Sequence, residues 1–277
     1  MSLASVKEML QHATKHQYGI PAMNVFNYES IKWAIQAAEE EQKPIIIQFY
    51  PGYTVHISMN VIAQCVIDLA QKATVPIGLH LDHARDFDTA VEGIKAGFRS
   101  VMIDGSQYPF EENVALTAAV ARVARVFGVD VEAELGHVGS GGKVDDFTNP
   151  NHFTDPHEVQ RFIEQTRADT LAISIGNGHG NYVQTPVLDF ERISTIRRLT
   201  SIPLVMHGGT GIPMNQMQEA VRRGMSKFNI ATEYGIALYR SMTPIVDKCD
   251  SYYGVLHSLE EGAVNYIRSK IRLLNPE

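Results

Sequence analysis

The feature that most limits what this chain can become is a repeat of architecture, not of letters. Eight apolar, β-branched runs recur: GIPAMNVF (19–26), PIIIQF (44–49), VPIGLHLD (75–82), SVMID (100–104), VDVEAEL (129–135), TLAISI (170–175), IPLVMHG (202–208) and KFNIAT (227–232). Most start roughly 25–32 residues after the previous one, the length of a strand, a helix and two short loops. Segments with helical periodicity lie between them, including 29–43, 110–128 and 215–224, with a start signal at Asp155-Pro156 and stops at Gly97, Gly128 and Gly224. Strands apolar along their whole length suit a parallel sheet covered by helices. Eight such units predict an α/β fold of the (β/α)8 TIM-barrel type. The expectation is one barrel domain over 1–277, with an N-terminal capping helix opening at Ser5 and extra C-terminal helices. An open doubly wound sheet is the structural runner-up, although no GxGxxG follows the first run.

The 277 residues suffice for one large barrel, and 44% hydrophobic with 20% charged residues is ordinary for a soluble globule. No apolar run approaches the roughly 18–20 residues that span a bilayer. MSLASVKEMLQHATKH reads as an amphipathic helix, not a secretory signal. Cys65 and Cys249, both in helix-like segments, suggest neither a disulfide framework nor a thiolate metal site, so a reducing cytoplasm is expected. A net charge of −7 argues against nucleic-acid and membrane partners, while leaving a small anionic substrate open.

Active sites of such barrels gather at the carboxyl ends of the strands. Asn24 lies near the end of the first strand, Asp82 and His83 end the third, Asp104 the fourth and Glu134 the fifth. His179 follows the sixth in GNGHG, His207 ends the seventh, and Asn229 and Thr232 end the eighth. One strand-end histidine is more often a hydrogen-bonded core residue, and one aspartate often caps the next helix. Three histidines on one rim suit a divalent ion such as Zn²⁺ with an open position. Asp104 and Glu134 are either oxygen ligands for a second metal position or acceptors that orient the histidines. His80 shares a face with Asp82 and is read as orienting it; His137, His152 and His157 read as loop or helix-surface residues. HGGTG (207–211) and NIAT (229–232) suit an anion, since glycines after a strand leave N–H groups for a ligand, though a tight turn would also explain them. The Gly-, Asn- and Asp-rich stretch 136–153 reads as a mobile or disordered active-site loop.

LHLDH, GFRSVMIDGS, FEENVALT, VEAELG, AISIGNGHGNY, IPLVMHGGTGIP and KFNIATE together resemble the class II, metal-dependent ketose-bisphosphate aldolases, in order and spacing over roughly residues 5 to 240. The resemblance implies cleavage of a phosphorylated ketose to dihydroxyacetone phosphate and an aldehyde, by a homodimer or homotetramer. It implies His83, His179 and His207 as zinc ligands and Asp82 as the acid/base at the C4 hydroxyl. Asp104 and Glu134 match a second metal position, for a further divalent or a monovalent cation. Gly180, Gly208, Gly209, Thr210 and Asn229 through Thr232 (Ile230 and Ala231 included) match groups binding dihydroxyacetone phosphate, and Asn24 one that positions the enediolate. A Schiff-base mechanism would need a lysine at the strand ends, and Lys43 and Lys227 start theirs.

The chain departs from that pattern. The glutamate that the family carries after VEAELG is missing from GHVGSGGKVDDF, leaving Asp145 or Asp146 to replace it. Tyr50 stands where many members have a small hydroxyl residue, and YIRSKIRLLNPE lacks the common ending. An aldehyde other than that of fructose 1,6-bisphosphate, including a non-phosphorylated one, is therefore an alternative. Remoter readings are a zinc hydrolase, which expects HxH where PAMN stands, and a non-catalytic dihydroxyacetone phosphate-binding homologue.

Overall fold

A computed structural model describes residues 3–276, so the outermost positions of the expected 1–277 domain lie outside it. Eight parallel strands close into a barrel in sequence order: β1 (Ile20–Asn24), β2 (Ile45–Phe49), β3 (Ile77–Ala84), β4 (Ser100–Ile103), β5 (Asp130–Leu135), β6 (Thr170–Ile173), β7 (Leu204–Met206) and β8 (Met225–Ile230). Each expected run supplies one strand, with shifted ends. β3 runs two residues further and takes in His83; β7 stops before His207; β8 starts at Met225 and ends at Ile230, so Ala231 and Thr232 leave the strand and open the helix Thr232–Met242.

Cross-strand register stacks the inward-facing residues in layers. Ala22 pairs with Ile46, Asn24 with Gln48, Gln48 with His80, and Ala22 with Asn229. The lowest layer is apolar: Ile20, Ala22 and Ile46 pack against Val6, Met9, Leu10 and Ala13 of the helix Val6–His16, which plugs the amino-terminal mouth. Ser5 caps that helix by accepting from the Glu8 N–H, as the sequence leads one to expect. Outward-facing strand residues meet the surrounding helices in two apolar clusters. The last helix, Tyr252–Leu274, lies along Tyr28–Glu41, where Arg268 and Arg272 bind the Glu41 carboxylate. Cys65 is helical, whereas Cys249 sits in the turn before the last helix; both are free thiols. Among the described residues no helix is long and apolar enough to cross a membrane.

Candidate active site and metal centre

Adjacent residues of a regular strand face opposite sides, so Asp82 and His83 could not share a site without a distortion. β3 supplies it. Between Leu81 and Ala84 it uses one residue more than β4, a bulge, and His83 sits there at φ 51°. Positive φ is rare for a non-glycine residue and marks local strain of the kind found at functional sites. Both side chains consequently meet at the carboxyl-end mouth, with Asp82 Oδ1 3.9 Å from His83 Nε2.

Three imidazoles converge at that point. His83 Nε2 lies 2.8 Å from His207 Nδ1 and 3.1 Å from His179 Nε2. The outward nitrogen of each ring faces an acceptor: His83 Nδ1 faces Asp104 Oδ2 at 3.0 Å, His179 Nδ1 the Val138 carbonyl at 3.1 Å, and His207 Nε2 Glu132 Oε1 at 2.9 Å. An acceptor obliges its ring nitrogen to carry the hydrogen, so with all three rings neutral the inward nitrogens present lone pairs to one another, and without a metal a proton on His83 Nε2 fills the gap between them. Such an arrangement calls for a cation. Three imidazole nitrogens on a tetrahedral zinc ion stand roughly 3.3 Å apart, from Zn–N bonds of about 2.0–2.1 Å, close to the spacing here.

The two carboxylates are bonded differently. One oxygen of Asp104 faces His83, and the other takes the Ser106 N–H and hydroxyl. Glu134 differs. Its Oε1 accepts from the Val138 N–H, while its buried Oε2 has no hydrogen-bond partner and lies 3.6 Å from His207 Nδ1. An orphaned carboxylate oxygen beside three bare nitrogens fits a metal. His83, Asp104 and Glu134 also form a second cluster of suitable donors, sharing His83 with the first.

The field agrees with that geometry. Burial depresses the His83 imidazolium, but Asp82, Asp104 and Glu134 outweigh it and raise the pKa to about 9. Burial and the Asp104 charge push Glu134 up to about 8. Burial and the His83 charge hold His179 down to about 4 and His207 well below its usual value. Burial opposes ionisation of Asp82, yet His83, His207 and Lys227 overcome it, so its carboxyl is held below the usual range. The pocket favours one positive charge where the rings meet, and a divalent ion meets the same field.

Beneath this layer lies machinery that sequence reasoning missed. Lys227 is not at a strand start: it is the third residue of β8, fully buried, with Nζ 2.9 Å from Glu132 Oε2. Glu132 then reaches His207, so an ion pair inside the barrel fixes that ring's tautomer. His80 does not orient Asp82; its Nδ1 bonds Ser100 Oγ at 2.8 Å. Asp82 is held instead by Asn24 Nδ2 at 2.8 Å and Asn229 Nδ2 at 3.0 Å, and Gln48 donates to Asn24 at 2.6 Å.

The loop 136–153 is built, not shapeless. It carries the short helix Val144–Thr148, and Gly139 and Gly141 exchange backbone hydrogen bonds with His179. Asp146 lines the cavity and accepts from the Ser140 N–H, whereas Asp145 is exposed and takes the Asn149 amide. His137 is a loop residue, as expected, but it also lines the cavity and meets Ser106 at 3.1 Å; His152 is half-buried beside it, and His157 is exposed. Asn177 donates to the His207 carbonyl, and the Tyr182 hydroxyl joins the Gly178 N–H to the Gly208 carbonyl, tying the loops after β6 and β7. At Gly208, φ is 63° and a Cβ would fall 2.1 Å from the Gly178 oxygen, so only glycine fits.

Two cavities result, sharing Asn24, Asp82, His83 and His179 in their walls. One, of about 430 Å³, opens past Tyr50, Tyr53, Arg85 and Gln107. The other, of about 60 Å³, is a recess walled by Gly180, Gly208, Thr210, Asn229, Ala231 and Thr232. Gly209 and Ile230 line neither: the Gly209 N–H bonds the Asn229 carbonyl, and Ile230 belongs to the apolar core. The helix Thr232–Met242 starts at the recess with no side-chain cap. The Glu233 N–H already goes to Thr210 Oγ1 at 3.1 Å, while the helix dipole suits an anion.

A family model described as "Fructose-bisphosphate aldolase class-II" matches residues 4–277. The chain is 40% identical to a fructose-bisphosphate aldolase of Geobacillus stearothermophilus, over 91% of this chain and 89% of that protein. It is 37% identical to a sulfofructosephosphate aldolase of Alkalicoccus urumqiensis, over 100% and 98%. The crystal structure of the YdjI aldolase from Escherichia coli K12 superposes with a TM-score of 0.90 at 33% identity, covering 99% of this chain and 97% of that one.

Proposed function

The chain belongs to the class II fructose-bisphosphate aldolase family, and from that premise we propose that it reversibly cleaves a phosphorylated ketose to dihydroxyacetone phosphate and an aldehyde at a zinc centre. As an aldolase it is a lyase. The observation that carries the metal reading is the convergence of one nitrogen from each of three imidazoles, each ring anchored from behind by an acceptor. His83, His179 and His207 would hold the ion, with Glu134 Oε2 at hand. When bound, such an ion would supply Lewis acidity for the negative charge that develops on the ketose oxygens during cleavage.

The other steps belong to side chains. Asp82, kept ionised by its cationic neighbours, takes the C4 hydroxyl proton in cleavage and returns it in condensation. Asn24 and Asn229 fix both of its oxygens, so the carboxylate does not swing away. Asp146 exchanges the proton at the hydroxymethyl carbon of dihydroxyacetone phosphate. It is preferred over Asp145 because it lines the cavity and a Cβ at Gly139 would press on its carboxylate. The phosphate occupies the smaller recess, among the backbone of Gly180 and Gly208, Thr210 and the start of the helix Thr232–Met242. The reading includes a cytoplasmic homodimer or homotetramer, with which two free thiols accord.

Chelation with verified metal removal should abolish cleavage, and zinc should restore it. Full activity in the stripped protein would refute the metal reading. In D₂O, the wild type should exchange a hydroxymethyl proton of dihydroxyacetone phosphate, followed by NMR; absence of exchange would favour a non-catalytic binding protein.

A further inference from the structure

We propose that Tyr182 is a positioning residue that couples the phosphate recess to the loop bearing Asp146, so that the phosphate of dihydroxyacetone phosphate sets the base that works on the hydroxymethyl carbon. The inference rests on the aldolase reading, with Asp146 as that base, and adds what puts the base in place.

Tyr182 lies in the loop after β6, three residues past His179, and touches three segments at once. Its hydroxyl uses both of its capacities: it accepts from the Gly178 N–H at 2.7 Å and donates to the Gly208 carbonyl at 3.1 Å. Its ring meets Phe147 edge-on, with the centroids 5.1 Å apart. A Cβ at Gly141 would fall 3.1 Å from the same ring. Phe147 follows Asp146 in the helix Val144–Thr148 and is 2% exposed, so the pair of rings anchors that helix from inside. A helix of 5 residues has little stability of its own, and its placement depends on such packing.

Both ends of this strut reach working parts. On the recess side the Gly208–Gly209 peptide is gripped twice, by the Tyr182 hydroxyl at its carbonyl and by the Asn229 carbonyl at its N–H, 3.2 Å away. Gly208 walls the recess, so an anion drawn there bears on a peptide that cannot shift without Tyr182. On the loop side, Ser140 bridges to His179, the backbone of Gly139 and Gly141 bonds the same residue, and the Ser140 N–H holds the Asp146 carboxylate at 2.8 Å. Binding energy from a non-reacting group raises a rate only where contacts carry it to the reacting centre. Tyr182 is the side chain that joins the wall of the recess to the loop.

The test is deuterium exchange, followed by NMR in D₂O, into dihydroxyacetone phosphate and into unphosphorylated dihydroxyacetone with and without phosphite dianion. In the metal-loaded wild type, phosphite should accelerate exchange into dihydroxyacetone. Tyr182→Phe keeps the ring and removes the hydroxyl. Its acceleration by phosphite should be lower by about 10- to 100-fold, the scale of a buried hydrogen bond whose partners are left unpaired. For dihydroxyacetone phosphate, kcat of exchange should fall by a similar factor with a smaller change in KM, while exchange into dihydroxyacetone alone should fall far less. Phe147→Leu breaks the strut at its other end and should show the same selective loss, which decides the matter should Tyr182→Phe not fold. Equal losses with and without phosphite, as a merely structural tyrosine would give, overturn the inference. So does an acceleration that survives either substitution, or a wild type indifferent to phosphite. Wild-type exchange into dihydroxyacetone phosphate separates the two failures: its presence confines any of these results to Tyr182, whereas its absence sinks the aldolase reading and this with it.

Discussion

Asp82 and His83 are neighbours in sequence with opposed duties, and the bulge in β3 lets one strand deliver both. Asp82→Ala should lower turnover by roughly 10²–10⁴ while metal content, measured by atomic emission, stays at the wild-type level. Wild-type turnover would reassign the acid/base. Asp146→Asn should remove proton exchange at the dihydroxyacetone phosphate carbon, whereas Asp145→Asn should retain it; the opposite result would transfer the role. The rim residues were legible because polar groups at the ends of apolar runs stand out. Gln48, Glu132 and Lys227 were not, because a polar residue inside a nearly continuous apolar strand looks like noise. Alternation could have found two of them. Glu132 and Lys227 stand two places before the rim residues Glu134 and Asn229, hence on the same inward face. Tyr182, in a loop without periodicity, left no such trace.

At the scale of elements, strand and helix existence was readable from period and spacing, while the ends were set by contacts the sequence does not display. β3 outruns its expected end because His83 takes a left-handed turn and pairing with β4 resumes at Ala84. The loop 136–153 gains order from exchange with His179, a partner some forty residues along. The union of the helices Tyr28–Glu41 and Tyr252–Leu274 predicts a pH effect. Hydrogen bonding to Arg272 and Arg268 holds the Glu41 carboxyl below its usual range against some desolvation. Its folded pKa is the lower one, so its contribution is present above the unfolded value near 4.5 and is lost as pH falls toward the folded value. Glu41→Gln should therefore melt below wild type at neutral pH, by a gap that closes on acidification. A gap constant from pH 7 to pH 3 would assign the effect to packing.

Across the whole molecule the barrel interior is graded, from an apolar floor sealed by the N-terminal helix, through buried ions, to the catalytic mouth. Closing eight strands in sequence order brings His83, His179 and His207 together although nearly 100 residues separate the first two. The middle layer is poor ground for stability. Replacing a buried ion pair by well-packed apolar residues is commonly neutral or stabilising by about 1–4 kcal/mol. The double variant Glu132→Leu, Lys227→Met should accordingly melt at or above the wild-type temperature and yet bind zinc more weakly, read by scanning calorimetry and competitive chelation. Unchanged zinc affinity would mean that Glu132 does not set the His207 ring. Breeding this protein for heat tolerance alone would then tend to erase the charges under its imidazole, yielding hardier descendants that no longer hold their ion; a screen must reward turnover in the same round.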